Sequence, residues 1–255
     1  MSANNATDPK PVYVYGVVPA EASVSVGEPG VAGNPVEVVA HDGVAAVLSD
    51  FPPHDPRVRR RDLRAHLRTL ELVFEQTVVA ACPFGTVFGS RSDVEERFLA
   101  PRRDELRRLL ERLEGHVQVN VKAEYDEEAV LRELAGNDDE IAASRARART
   151  MGPAAYYENI RLGELVSARL AERRASDREQ ILARLSQPAA DAAPDPPDGD
   201  QLVVFKGSFL VGRDRVPEFD AALEQLAAAE ADRLRFEEIG PLPPTAFARL
   251  GPQVP

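Results

Sequence analysis

The stretch from His116 to Tyr125 constrains this chain more than any other. Val117, Val119, Val121, Ala123 and Tyr125 alternate there with His116, Gln118, Asn120, Lys122 and Glu124. Side chains along a strand point to opposite faces in turn, so this period of two predicts a strand with one buried face and one wet or partner-facing face. Such a strand needs neighbours to pair with and helices to cover its apolar row. The remaining sequence offers both. Val12–Val18 is an almost unbroken β-favouring run, as expected of a strand buried on both faces. Val36–Ala40 and Val44–Leu48 flank His41-Asp42-Gly43, a hairpin pattern. Cys82–Phe88 reads as a short strand. Val203, Phe205, Gly207, Phe209 and Val211 share one face of another, and Leu234–Ile239 closes the set.

Helical periodicity fills the gaps. Asp55-Pro56 has the cap and first-turn proline of a helix start, followed by one apolar stripe at Leu63, Leu67, Leu70, Phe74 and Val78. Ser92-Asp-Val-Glu95 is a capping-box pattern opening a second helix, which Pro101 should kink or divide before Leu106, Leu109, Leu110 and Leu113. Asp126 caps a helix over Glu127–Leu134, stopped by Gly136-Asn137, and a further helical stretch runs to Gly152-Pro153. A long helix follows from Ala154 to about Leu185, part of which packs across both halves or stands ready for a partner. Gln187–Asp200 is rich in Pro and Asp and is expected to form no core element. Val216, Phe219, Leu223 and Leu226 mark the last helix. The predicted fold class is α+β: two small domains, each a mainly antiparallel sheet covered by helices, with a long helix between them. The expected division is a tail over 1–10, a first domain over 11–114 and a second over 115–255, the latter containing the long helix 154–186 and the connector 187–200.

Composition narrows the function classes. The chain has 255 residues, 44% hydrophobic and 29% charged, enough for a substantial core. A net charge of −11 argues against a chain-wide role on nucleic acid or an anionic membrane, and no apolar run approaches the roughly 20 residues that span a bilayer. The polar first ten residues do not resemble an export signal. A single cysteine, Cys82, excludes an intramolecular disulfide and fits a cytoplasmic setting. Cys82 is expected to be a buried structural residue rather than a nucleophile.

Candidate chemistry is sparse. The four histidines, His41, His54, His66 and His116, have no metal-ligand spacing, and His66 beside Leu63 and Leu67 fits a boundary imidazole better than a haem ligand. Asp138, Asp139 and Glu140 are read as an acid-rich helix start rather than a cation loop. Arg57, Arg59, Arg60, Arg61, Arg64 and Arg68 form a basic run without interleaved aromatics, which fits a solvated helix face or a protein-docking patch better than nucleic-acid binding. Two segments have the character of contact surfaces. In the first, Tyr156, Tyr157, Ile160, Arg161 and Gly163 open the long helix. A glycine inside a helix costs about 1 kcal/mol, which a close approach by another backbone would offset. The tyrosines there either pack into the core or build an interface. In the second, Gly240-Pro-Leu-Pro-Pro244 leads to Phe247, and its prolines fix φ and remove donors, so the chain leaves the sheet as a rigid extended arm.

Four stretches, in order, carry a resemblance to the gas vesicle GvpL/GvpF family: Val12-Tyr-Val-Tyr-Gly-Val-Val18, Pro83-Phe-Gly-Thr-Val87, Tyr156-Tyr157 through Leu162-Gly-Glu-Leu-Val166, and Lys206-Gly-Ser-Phe-Leu-Val211 through Gly240-Pro-Leu-Pro-Pro244. The tail departs from the family pattern, with Thr245-Ala246-Phe247 where relatives carry Tyr-Ser-Phe. The resemblance implies a two-domain α+β protein with a ferredoxin-like first half. It also implies an accessory protein, a minor wall component or assembly factor, located at the gas vesicle or in the cytoplasm. The implied partners are the small, very hydrophobic wall protein and other gas vesicle accessory proteins, with no cofactor and no enzymatic activity. Tyr156, Tyr157, Arg161, Gly163, Gly240, Pro241, Pro243, Pro244 and Phe247 are the candidate partner-binding residues. The competing reading is an α+β enzyme or binder of a small ligand such as haem or flavin.

Overall fold

The structure is a computed structural model, and it describes residues 10–52, 60–151, 155–197, 199–248 and 250. The N-terminal tail up to residue 9, the expected helix start at Asp55-Pro56, His54, Arg57, Arg59 and the stop at Gly152-Pro153 lie outside the described residues. Two compact units emerge. One comprises the described residues of 1–118 and 241–255, the other those of 119–240. The sequence-based boundary lies near 114–115 and assigns everything after it to the second domain, whereas here the stretch from Pro241 belongs with the first unit.

In the first unit β1 (Val12–Pro19), β2 (Val36–His41), β3 (Val44–Asp50) and β4 (Ala80–Ala81) form an antiparallel sheet in the order β2-β3-β1-β4, and β5 (Val87–Phe88) also pairs with β1. β1 is central, which is why its run of Val and Tyr is apolar on both faces. The β2–β3 hairpin turns at Asp42 (φ 44°) and Gly43 (φ 89°). Positive φ at both central residues is the tight turn whose twist matches that of paired strands, and glycine supplies the second position without strain. Cys82–Phe88 is not one strand. Pro83 and Gly85 (φ 91°) turn the chain between β4 and β5.

Helix α1 (Arg60–Phe74) covers this sheet, but its buried stripe is not the expected one. His66, Thr69, Leu70, Val73 and Phe74 are buried, whereas Leu63 and Leu67 are 41% and 46% exposed and Val78 lies beyond the helix. Leu70 and Phe74 of the expected stripe are covered, but the buried face is turned away from Leu63 and Leu67 because His66 and Thr69 occupy inner positions. The next helical segment starts two residues earlier than the capping-box pattern suggests. Ser90 is its cap, accepting the Asp93 N–H at 3.1 Å. α2 (Arg91–Asp93) runs through a π-helical stretch at Val94–Leu99 and a 3-10 turn at Ala100–Arg102 before α3 (Arg103–Leu113). Pro101 lies in that 3-10 turn, where a missing N–H and a fixed φ break the regular ladder.

The second unit begins within β6 (His116–Tyr125). Helices α4 (Glu127–Asn137), α5 (Asp139–Thr150) and α6 (Tyr156–Leu185) follow, then β7 (Asp191–Pro194), β8 (Val203–Gly212), α7 (Val216–Ala229) and β9 (Leu234–Leu242). The antiparallel sheet has the order β7-β8-β6-β9. In a β-α-β-β-α-β chain this is the ferredoxin-like arrangement, which the resemblance attaches to the first half. Contrary to the expectation that the Pro/Asp-rich connector forms no element, Asp191–Pro194 pairs with β8 from Leu210 to Gly207. It does so at the sheet edge, where proline's missing donor costs no ladder hydrogen bond. Val117, Val119, Val121, Ala123 and Tyr125 form the buried row of β6, as the alternation predicts. Within the unit, Phe209 meets Phe219 of α7 at 5.3 Å between ring centroids. A short helix, α8 (Thr245–Ala248), lies near the end of the described chain, in the first unit.

Candidate functional site

The start of α6 is tied to α5 by side-chain hydrogen bonds. Asp138 caps α5 by accepting the N–H groups of Glu140 and Ile141 at 2.9 and 3.0 Å, so the acid-rich stretch is a helix start. Towards the other end of α5, Arg147 Nε and Ser144 Oγ donate to Glu158 Oε1 of α6 at 2.9 and 3.0 Å. The hydrogen bond from Arg147, then that from Ser144, holds the Glu158 carboxyl below the usual carboxylate range. Beside this brace Tyr156 is 67% and Tyr157 81% exposed, their rings edge-on at 5.4 Å between centroids. Ile160, one turn on, and Met151, at the end of α5, are exposed too. Core packing of the tyrosines is therefore excluded. Arg161 also faces outward. Gly163 is exposed, and a Cβ there would meet nothing within 4 Å. Among the described residues no backbone makes the expected approach, so none of them compensates this helix position.

The other candidate segment divides. Gly240 and Pro241 are exposed on β9, but Pro243, Pro244 and Phe247 are buried. The Ala246 N–H donates to Gln118 Oε1 at 2.8 Å, and Arg112 Nη2 donates to the Phe247 carbonyl at 2.9 Å. Those three residues complete the first unit instead of forming a free arm. The exposed residues of the two segments belong to different units, apart from Gly240, which closes the second.

Two polar clusters escape the sequence reading. In the first unit His66 is buried, with Nδ1 3.0 Å from the Tyr13 hydroxyl, its ring stacked on Tyr15 and edge-on to Phe84. Burial pushes the His66 imidazole down to about 4 and raises the Tyr13 phenol. The Tyr15 hydroxyl lies 3.0 Å from Ser49 Oγ and accepts the Val31 N–H at 2.7 Å. A neutral imidazole sealed among aromatic rings serves packing. In the second unit Asp177 of α6 is buried and accepts from Tyr125 at 2.5 Å and from Arg233, one of whose donors is at 3.0 Å, while Arg173 lies 3.4 Å away. Arg173 and Arg233 also pair with Glu133 and Glu230 respectively, at 2.9 and 2.7 Å. The only sequence trace of this network is the spacing of Arg173 and Asp177, one helical turn apart.

Cys82 is buried, and desolvation pushes its thiol up to about 12, the reverse of what a nucleophile needs. Among the described residues no group of three or more His, Cys, Asp or Glu is placed to hold a metal ion, and no helix is long and apolar enough to cross a membrane.

The sequence matches the gas vesicle synthesis protein GvpL/GvpF family over residues 11–249. The chain belongs to the GvpL/GvpF family. Among this family's proteins, it is 34% identical to gas vesicle protein F of Streptomyces sp. (strain CB03234), covering 92% of this chain and 98% of that one. It is 24% identical to gas vesicle protein F of Microcystis aeruginosa, over 94% and 98% of the two chains. The fold is that of solved GvpF structures. The crystal structure of GvpF from Anabaena sp. PCC7120 superposes with a TM-score of 0.79 at 23% identity, covering 94% of this GvpL/GvpF chain and 98% of the other. GvpF from Microcystis aeruginosa gives 0.71 at 24% identity, over 94% and 99%.

Proposed function

We propose that this GvpL/GvpF chain is a non-enzymatic accessory protein of gas vesicle formation. In this reading it holds the small hydrophobic wall protein through the exposed face at the start of α6. The observation that carries the proposal is the placement of Tyr156 and Tyr157 in the open, beside Ile160 and Met151, at a helix start that Glu158 ties to α5. Tyrosine rings cover apolar surface while their hydroxyls stay hydrated, and large exposed apolar groups held on a rigid frame are the usual anchors of an interface. A wall subunit that self-associates through apolar β surface needs such cover before assembly. The net charge of −11 on this chain favours its solubility. Arg161 frames the patch, and the exposed Gly240 and Pro241 are a second candidate contact, for the wall protein or another gas vesicle accessory protein. The protein then works in the cytoplasm at the growing vesicle.

Co-expression with the wall protein tests this. The wall protein is expected to co-purify with the native chain, and Tyr156→Ala with Tyr157→Ala to cut recovery about tenfold or more, the loss of one strong anchor. Unchanged recovery from a folded double variant would reject the α6 face as the contact. Failure of the native chain to retain wall protein would reject the function itself.

A further inference from the structure

β9 ends the order β7-β8-β6-β9, so among the described residues one of its edges has no strand beside it. Arg235, Glu237, Glu238, Ile239 and Gly240 are exposed, Ile239 by 61%. The direction of its hydrogen bonds follows from the start of the strand. The Arg233 carbonyl accepts the Asp126 N–H, next to β6, at 2.9 Å, whereas the Leu234 N–H turns the other way, to the Glu230 carbonyl at 2.8 Å. Alternation then points the backbone groups of Phe236 and Glu238 outward, and those of Arg235 and Glu237 toward β6. Leu234 is buried, and Glu238 feels the Asp220 and Glu224 carboxylates of α7, so Leu234, Phe236 and Glu238 share the helix-covered face. Arg235, Glu237 and Ile239 lie on the other.

We infer that β9 pairs antiparallel with β9 of a second copy of this chain, about a two-fold axis through Phe236, joining two four-stranded sheets into one. The charges select this register. A two-fold axis normal to the sheet keeps each residue on its own face, so the pairing must centre on a residue. Centring on Arg235, Glu237 or Glu238 sets like charges opposite one another, which is destabilising. Centring on Phe236 sets Arg235 opposite Glu237 of the second copy, and the symmetry repeats that ion pair on the other side. Phe236 faces Phe236, and its outward N–H and carbonyl form the reciprocal hydrogen-bonded pair. The two ion pairs then fall at the non-hydrogen-bonded sites, where opposed side chains approach most closely. The surface is self-complementary, as an isologous dimer requires. Pro241, which has no N–H to offer, falls beyond the paired window. Centring on Ile239 would also avoid like charges, but it forms no ion pair and places Pro241 opposite Glu237. This inference does not rest on the gas vesicle reading.

Sedimentation of the full chain across a concentration series tests it, with the 27.8 kDa chain expected at twice that mass. Arg235→Glu and Glu237→Arg should each sediment as single chains, because each sets like charges opposite one another. Mixed in equal amounts they should form a heterodimer. One partner then carries acids at both positions 235 and 237 and the other carries arginines at both, so each opposed pair has opposite signs. A native chain that stays single at every concentration overturns the proposal. So does a dimer that both charge variants leave intact, including one lost only on Ile239→Asp, which would indicate the Ile239-centred register.

Discussion

His66 is the residue whose environment has the most direct solution consequence. In the unfolded chain its imidazole takes up a proton near 6.5, and in the fold burial holds it to about 4. The neutral ring's contribution is therefore complete above pH 6.5 and is lost as pH falls toward 4. Its size is about 3 kcal/mol, since a unit of pKa difference corresponds to roughly 1.4 kcal/mol. Urea unfolding midpoints of the native chain and His66→Gln, compared between pH 7 and 4, should show the difference between them shrinking by that amount. Equal pH slopes would show that the ring is not sealed. Phe247 makes a different point. Cut to alanine it should cost about 3–5 kcal/mol in the first unit, the usual loss for a buried phenylalanine, where a free docking arm would lose almost nothing. Its presence is legible in the sequence, but its burial is not, because whether an apolar tail residue docks on its own chain depends on a surface assembled from Arg112, Gln118 and β4. Tyr156 and Tyr157 show the opposite case. Their spacing fits core and interface equally well, and only the tertiary structure, in which no described element covers them, decides for exposure.

At the scale of elements, two close approaches set the packing. Gly16 sits where β1 pairs with β4, and a Cβ there would lie 2.7 Å from the Ala80 carbonyl oxygen and 3.0 Å from Val79 Cγ2. Gly16→Ala should force the strands apart and cost roughly 1–3 kcal/mol, read as a lower denaturation midpoint. In the second unit, Asp177 ties α6 to Tyr125 of β6 and to Arg233 before β9. Asp177→Ala removes the buried carboxylate that Tyr125, Arg173 and Arg233 share, while Glu133 and Glu230 still pair the two arginines, and should destabilise by about 2–3 kcal/mol, the loss of charge-assisted hydrogen bonds. Asp177→Ala and Arg233→Met together should cost less than the sum of the two singles. A strictly additive double variant would show that the network is not coupled. The elements themselves are mostly readable. β6 announces itself by alternation, and the β2–β3 turn by Asp42-Gly43. α1 is legible but its face is not, because a helix stripe built from leucines omits the polar residues a core can bury once they find partners. β7 is hidden because proline and aspartate argue against strand, and an edge position overrides that preference when a neighbour offers its hydrogen bonds.

For the whole molecule, the return of residues from Pro241 to the first unit means that a segment far along the sequence completes a unit built mainly from residues before Val119. Truncation after Gly240 should therefore lower hydrogen-exchange protection around β1, β4 and the start of β6 while leaving Val203–Gly212 and α7 protected. Equal loss in both units would contradict the division. By itself the sequence determined the fold class, most strands and helices, and family membership, because periodicity, turn chemistry and four ordered motifs are local properties written along the chain. Only the tertiary structure decided which apolar residues would be covered. It buried Phe247 and His66, left Tyr156, Tyr157 and Leu67 outside, and exposed one edge of β9. Burial is set by residues far away in sequence that compete for the same surface, and no local pattern carries the outcome of that competition.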